Sequence, residues 1–206
     1  MASFTLLASS LIALSKDNLK ARLAYSTVSQ LSYIVLAAAL ATKLSILGAG
    51  LHIATHALGK ITLFMCAGAI YVASRKTEIS DMDGLGRVMP FTFIAFAIGA
   101  FSIIGLPPFA GVWSKWYMAL GAANLELYLV IAVYMVSSLL NVGYLLPVVA
   151  RAFFKPLPQQ LQPSGSKSLS EAPLLCVIPL CITALGCFVL FFFVDEVIDL
   201  LRPIVN

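Results

Sequence analysis

Four residues in this chain carry titratable groups where the surrounding sequence is apolar. His52, His56 and Lys60 recur at every fourth position inside the run Leu44–Ser74, and Lys115 is the one charge in the run Met89–Ala123. On a helix the first three drift by about 40° and rise by about 6 Å per step, so they line roughly 12 Å of one face. Such groups are costly in hydrocarbon, of order 2.5–3.5 kcal/mol for a central lysine, so they face other helices or water. Desolvation disfavours a buried cation, while a nearby carboxylate or water favours it. A lysine held between those influences can load and release a proton, and the chemistry expected of these four residues is proton or cation transfer. A metal site does not fit the histidines. His-Ile-Ala-Thr-His has zincin spacing but no Glu after the first His and no third ligand. Nor is the stretch around Lys60 a phosphate loop, because Ala54 stands where the first Gly would be and Ile61 where Ser or Thr would follow the lysine.

Lys115 follows a break. Gly105-Leu106-Pro107-Pro108 interrupts the Met89–Ala123 run, and both prolines lack a backbone N–H and clash with a preceding helical turn. As one helix this run would be about 52 Å long, against a hydrocarbon core of about 30 Å. Two half-helices meeting inside the membrane are expected, with a hairpin between two short spans as the alternative. The Gly-Leu-Pro-Pro turn carries no polar side chain suited to water, which favours the half-helices. Broken backbone at that depth must be satisfied by protein or trapped water. Trp113 and Trp116 flank Lys115 as packing residues or as an interfacial belt, and a belt would bring Lys115 near the surface.

The composition places these elements in a membrane. The chain has 206 residues, 61% hydrophobic and only 11% charged, and a soluble domain carries about 25% charge. Six hydrophobic segments are expected as transmembrane helices: Ala2–Ser15, Leu23–Thr42, Leu44–Ser74, the broken Met89–Ala123, Leu127–Ala150 and Pro173–Val194. Long uncharged runs exclude a β-barrel, whose strands alternate over about 10 residues. The fold class is all-α integral membrane. Ala2–Leu14 carries no basic residue, so it is not a signal peptide. It is short for a span, which takes about 20 residues, and reads as one that has lost its beginning or is completed by a neighbour. The polar stretch 155–171 reads as a solvated connector, with the sixth helix appended beyond it. Residues 1–154 then form one transmembrane unit and residues 172–206 a trailing helix and C-terminus.

Nine of the thirteen basic residues fall after the first, third and fifth segments, from Lys16 to Lys167. Lys43 and Arg202 fall on the other side. Positive-inside bias makes the nine-residue side cytoplasmic, with both termini extracytoplasmic. This assignment closes only if the broken segment crosses once. The net charge of +4 reflects topology and not nucleic acid. Cys66, Cys176, Cys181 and Cys187 lie in spans without a metal-type pair and read as packing residues. Neither a nucleotide loop nor a redox cysteine pair occurs, so no cofactor and no autonomous catalysis are expected. No carboxylate falls within a segment, so an ion-pair partner for Lys115 would come from another chain. Ser26, Thr27, Ser29 and Gln30, near Tyr25 on the second segment, could bond to water or serve as packing glue. The same two readings hold for Ser137, Ser138 and Asn141 on the fifth.

Four ordered motifs carry a resemblance. Asp17–Gln30 (Asp-Asn-Leu-Lys-Ala-Arg-Leu-Ala-Tyr-Ser-Thr-Val-Ser-Gln), His52–Lys60 (His-Ile-Ala-Thr-His-Ala-Leu-Gly-Lys), Asp83–Pro90 and Gly105–Lys115 are similar to segments of antiporter-like membrane subunits. These subunits occur in respiratory complex I, Mrp-type cation/proton antiporters and membrane-bound hydrogenases. The resemblance spans residues 17–115; residues 126–206 match in hydrophobic pattern alone. It implies inverted five-helix repeats, each with a discontinuous helix, and buried Lys, His and Glu along a hydrated midplane path. By position, Lys60 resembles the linking lysine, His52 and His56 its hydrogen-bonded neighbours, and Lys115 the terminal lysine of the second half-channel. Lys20 also matches, and its loop position suggests lipid or partner contact. Family members have more than twice as many helices, so this sequence corresponds to the second repeat plus a trailing helix. The resemblance therefore implies proton or cation/proton translocation within a larger complex; the N-terminal half with its Glu–Lys pair is expected on another chain, unless this sequence is a fragment of a longer one. The context of Lys115 is closer to Mrp-type or hydrogenase-like complexes than to complex I. A degenerate assembly subunit without transport is the alternative.

Overall fold

The apolar runs become helices whose ends are set by local polar residues. In the computed structural model, which describes residues 1–157 and 171–205, these are α1 (Ala2–Ser15), α2 (Leu19–Leu40), α3 (Lys43–Ser74), α4 (Pro90–Ile104), α5 (Gly111–Ala123), α6 (Tyr128–Phe154), α7 (Leu174–Phe192) and α8 (Val194–Val205). Asn18 opens α2 by accepting from the Ala21 N–H, and Thr42 with Ser45 forms a reciprocal capping box at α3. Among the described residues the chain is otherwise irregular, apart from two short 3-10 turns and one bridge between Asn18 and Glu78. Four helices, α2, α3, α6 and α7, are long and apolar enough to cross a membrane, and α1 and α4 are shorter apolar helices. Large apolar side chains such as Phe4, Leu129, Leu139 and Leu175 stand exposed around the bundle, the surface expected of a protein bathed in lipid.

α3 is the central element. Its Gly59 lies against Ile103 and Gly99 of α4, His52 against Ser114 of α5, and Gly48 against Met118 further along α5. Ser45, at the start of α3, meets Gly121 near the end of α5. α4 and α5 thus run consecutively, antiparallel to α3, along most of its length. Between them, Gly105 closes α4 in the left-handed region with φ +89°, a conformation that a side chain disfavours. Gly111 opens α5 so close to α4 that a Cβ there would run into the Ser102 carbonyl oxygen.

The connections after α1, α3 and α6 meet at one end of the bundle. Leu19 N donates to Thr77 O, Ile79 N to Asp17 O, and Gly84 N to Arg151 O. Asp83 binds Arg151 at 2.7 Å and Lys155 at 3.2 Å. These are the connections that the basic residues assign to one side.

Two features depart from the expectations. α7 is not an appendage: Val177, Leu180 and Ala184 join the main core, Thr62 donates to Thr183, and Ala110 N donates to the Cys187 carbonyl. α8 lies beyond the six expected segments. Its Val194 and Ile198 pack with Leu51, Trp113 and Tyr117, while Asp199 and Arg202 pair on its outer face. The connector expected at 155–171 lies mostly outside the described residues.

Candidate functional site

Gln30 and Ser26 lie one turn apart on α2, and Asn141 and Tyr144 almost one turn apart on α6; all four are fully buried. Between these two faces sit the polar groups of α3 and α5. Lys60 Nζ donates to Ser26 Oγ at 2.6 Å and to the Leu23 carbonyl at 3.2 Å. Tyr144 Oη donates to the same Ser26 Oγ at 2.8 Å. Lys115 Nζ donates to the Ile104 carbonyl at 2.9 Å and to Ser138 Oγ at 3.1 Å, and lies 5.0 Å from the Tyr33 ring centroid.

Asn141 connects the two sets. A carboxamide's oxygen and nitrogen are told apart by their neighbours, and one orientation satisfies both ends. Oδ1 then accepts from Lys115 Nζ at 3.1 Å and Gln30 Nε2 at 3.0 Å, while Nδ2 donates to Tyr144 Oη at 2.6 Å and the Ser137 carbonyl at 3.2 Å. The result is an unbroken series of side-chain hydrogen bonds, Lys115–Asn141–Tyr144–Ser26–Lys60. A branch runs through Gln30, whose Oε1 meets His52 Nε2 at 3.2 Å. That oxygen can only accept, so Nε2 carries the hydrogen, and Nδ1 accepts from Ser114 Oγ at 2.8 Å. His56 is buried and lies beside His52, ring centroids 5.9 Å apart, but its Nε2 has no hydrogen-bond partner. Among the described residues no ion pair reaches Lys60 or Lys115 and no cluster of three potential metal ligands occurs.

A helix end serves Lys115. The Gly105 and Leu106 N–H groups both donate to Phe101 O, so the last carbonyl of α4, at Ile104, is free to take the ammonium. Carbonyls at a helix C-terminus carry the negative end of the macrodipole and favour a cation. The break at Gly105, Leu106, Pro107 and Pro108 thus has an electrostatic result beside its steric one.

Residues 1–141 match the family model described as "NADH:quinone oxidoreductase/Mrp antiporter, TM". The chain belongs to this family. Its members include NADH-quinone oxidoreductase subunit N of Desulforudis audaxviator, 37% identical over 97% of this chain and 41% of that protein. An Na(+)/H(+) antiporter subunit of Alkalihalophilus pseudofirmus is 33% identical over 75% of this chain and 31% of that protein. A chain of the Mrp complex from a Dietzia species superimposes with a TM-score of 0.85 at 22% identity, over 97% of this chain and 44% of that one. A chain of the archaeal membrane-bound sulfane sulfur reductase gives 0.83 at 28% identity, over 92% of this chain and 30% of that one. The chain spans less than half the length of these relatives. It is an all-α integral membrane protein of the family.

Of the four titratable residues singled out in the sequence, Lys60, Lys115 and His52 meet within one network, while His56 stands beside it. Ser26, Gln30, Ser138 and Asn141, left between two readings in the sequence, bond directly to these groups. Tyr33 and Tyr144 were missed. A usable signal existed: polar residues at 26, 30 and 33 on α2, and at 137, 141 and 144 on α6, repeat the i, i+4, i+7 spacing of one helix face.

Proposed function

We propose that this chain forms the C-terminal half of a proton-translocating, or monovalent cation/proton-translocating, antiporter-like subunit within a larger membrane complex. The observation that carries the proposal is the hydrogen-bonded series between Lys60 and Lys115, two cations with only neutral partners among the described residues. Such a pair can exchange charge states without being locked by a carboxylate. α4 and α5 serve as one discontinuous crossing, giving six crossings in all, and the end bearing Asp17, Asp83 and Arg151 faces the cytoplasm. Both termini then lie on the opposite side.

In this reading Lys115 is the terminal site at the exit end of an outward half-channel, and Lys60 the linking site. A proton on Lys115 disfavours charge on Lys60, and water beside His52 and His56 carries the proton onward. The first repeat of such a subunit, which these 206 residues do not include, supplies the carboxylate that completes the coupling, and the driving reaction resides in partner subunits. The test is Lys115→Ala in the assembled complex, reconstituted in vesicles. Transport should fall by about two orders of magnitude or more, the usual weight of one positioned proton-transfer group. Full transport in this variant would end the assignment. Reduced complex yield with intact transport per complex would instead identify an assembly subunit.

A further inference from the structure

The series between Lys115 and Lys60 has one member of different chemistry. Ser26 and Tyr144 are hydroxyls, which take a proton on the oxygen that gives one up. Asn141 is a carboxamide. To pass a proton from Lys115 to Tyr144 it would have to bind H⁺ on Oδ1 and release H⁺ from Nδ2, leaving the imidic acid tautomer. That tautomer must revert by a second transfer before another proton could pass.

The other routes out of Lys115 do not reach α3. Lys115 donates to Ser138, and Ser138 meets Tyr33 Oη at 3.2 Å; from Tyr33 one contact is the Tyr134 carbonyl at 3.1 Å, which ends a relay, and the other is Ser137, whose hydroxyl leads through Ser10 to Ser29 on α1 and α2, away from α3. The route to His52 passes Asn141 Oδ1 and then Gln30, a second carboxamide. Among the described residues, every side-chain route from Lys115 towards α3 therefore crosses an amide. Asn141 and Gln30 are both fully buried, and Asn141 has all four of its hydrogen-bonding sites filled, so neither rotates at low cost.

We propose that Asn141 is an insulating link, which holds Lys115 and Lys60 in one hydrogen-bonded series while denying the proton a direct passage between them. Aligned dipoles transmit the charge of one lysine to the other. The proton itself is left to the hydrated side, where passage can depend on the state of the complex. Asn141 acts here as a positioning residue. This inference rests on the proposed transport function.

The experiment uses the whole complex in vesicles loaded with a pH-sensitive dye, with an imposed pH gradient and no driving reaction. Asn141→Asp keeps the size of the side chain but replaces the amide by a group that binds and releases protons on oxygen. Its passive proton leak should exceed that of wild type by at least about tenfold, as expected of a working relay group. Asn141→Ala should stay tight. Adding Tyr144→Phe to Asn141→Asp should return the leak to the wild-type level, because the next link is then missing. A tight Asn141→Asp complex, or a leak that survives Tyr144→Phe, would overturn the proposal. If Asn141→Asp does not assemble, driven transport of Tyr144→Phe decides. It should be reduced but remain above that of Lys115→Ala, and a loss equal to Lys115→Ala would mean that the series conducts. Failure of the underlying function reads out separately, as undiminished transport in Lys115→Ala.

Discussion

Lys60 sits in the middle of an unbroken helix, whereas Lys115 sits just past a helix break. The difference shows in what each finds for its ammonium group. Around Lys60 every backbone carbonyl of α3 belongs to a helix, and the carbonyl it reaches, Leu23 O, is shared with the Thr27 hydroxyl. The main support of Lys60 is one hydroxyl, Ser26. Lys115 has the free carbonyl at the end of α4, the Ser138 hydroxyl, the Asn141 amide and the face of Tyr33. A break inside a bundle therefore supplies a cation with backbone charge that continuous helices keep to themselves. Lys60 is almost fully buried, while Lys115 is of intermediate exposure with its Nζ turned inward. Lys60 is thus sparsely held and enclosed, and Lys115 richly held at the edge.

The contrast can be broken at the break itself. In Gly111→Ala the new methyl would meet the Ser102 carbonyl, so α4 and α5 must move apart and the ligands of Lys115 with them. We expect loss of assembly or a cost of about 3 kcal/mol or more, read by thermal unfolding of the purified complex. Ser26→Ala comes next. It removes the main partner of Lys60 and the acceptor of Tyr144, and should cost roughly 1–3 kcal/mol. Ser138→Ala leaves Lys115 its carbonyl and amide partners and should cost roughly 0.5–1.5 kcal/mol. Equal losses in these two variants would remove the distinction between the sites. Tyr33→Leu should cost Lys115 about 0.5–2 kcal/mol from the lost ring face, with Tyr33→Phe milder.

The smallest effect is expected outside the bundle, at Asp83. Partial burial pushes its carboxyl up, yet the hydrogen bonds and charges of Arg151 and Lys155 outweigh this and hold it below the usual carboxylate range. A carboxyl depressed in the folded state contributes stability above its unfolded value of about 3.9, and loses it as pH falls through the folded value. Asp83→Asn should therefore lower stability by less than about 1 kcal/mol at neutral pH. The gap in melting temperature between the two proteins should narrow with added salt, and should shrink as pH falls below about 3.9 and close once it passes the lower folded value. The Ser26 and Ser138 variants, buried from salt, should show no such dependence on ionic strength.

The helices were legible because hydrocarbon enforces long apolar runs, and α1–α7 fall within or close to the six segments expected. The position of the break was legible from Pro107 and Pro108, which cannot continue a helix. Lys60, Lys115 and the histidines stood out because charge is rare in such runs. Their partners did not, since Ser26, Gln30 and Asn141 have residue types common in membrane packing, and only the approach of α2 to α6 gives them a task. α8 was hidden by its acidic first turn, Asp195 and Glu196, which reads as an ordinary polar tail. The close fit of α7 was hidden for a different reason: its contacts are apolar, and an apolar face does not announce whether it meets protein or lipid.

The glycines along α3 have a mechanical consequence. A Cβ at Gly48 would lie 2.7 Å from Met118 N, and one at Gly59 would lie 2.9 Å from the Ile103 side chain, so α5 and α4 each press almost backbone to backbone on the same rod. Parts fitted that tightly slide or tilt only at the expense of many contacts at once. α6 meets the seam differently, through the side-chain hydrogen bonds of Ser138, Asn141 and Tyr144, while its Leu145, Val148 and Ala152 join the main core further along. α3, α4 and α5 thus form a rigid frame, and any relative movement in the bundle is to be sought in the elements packed around it.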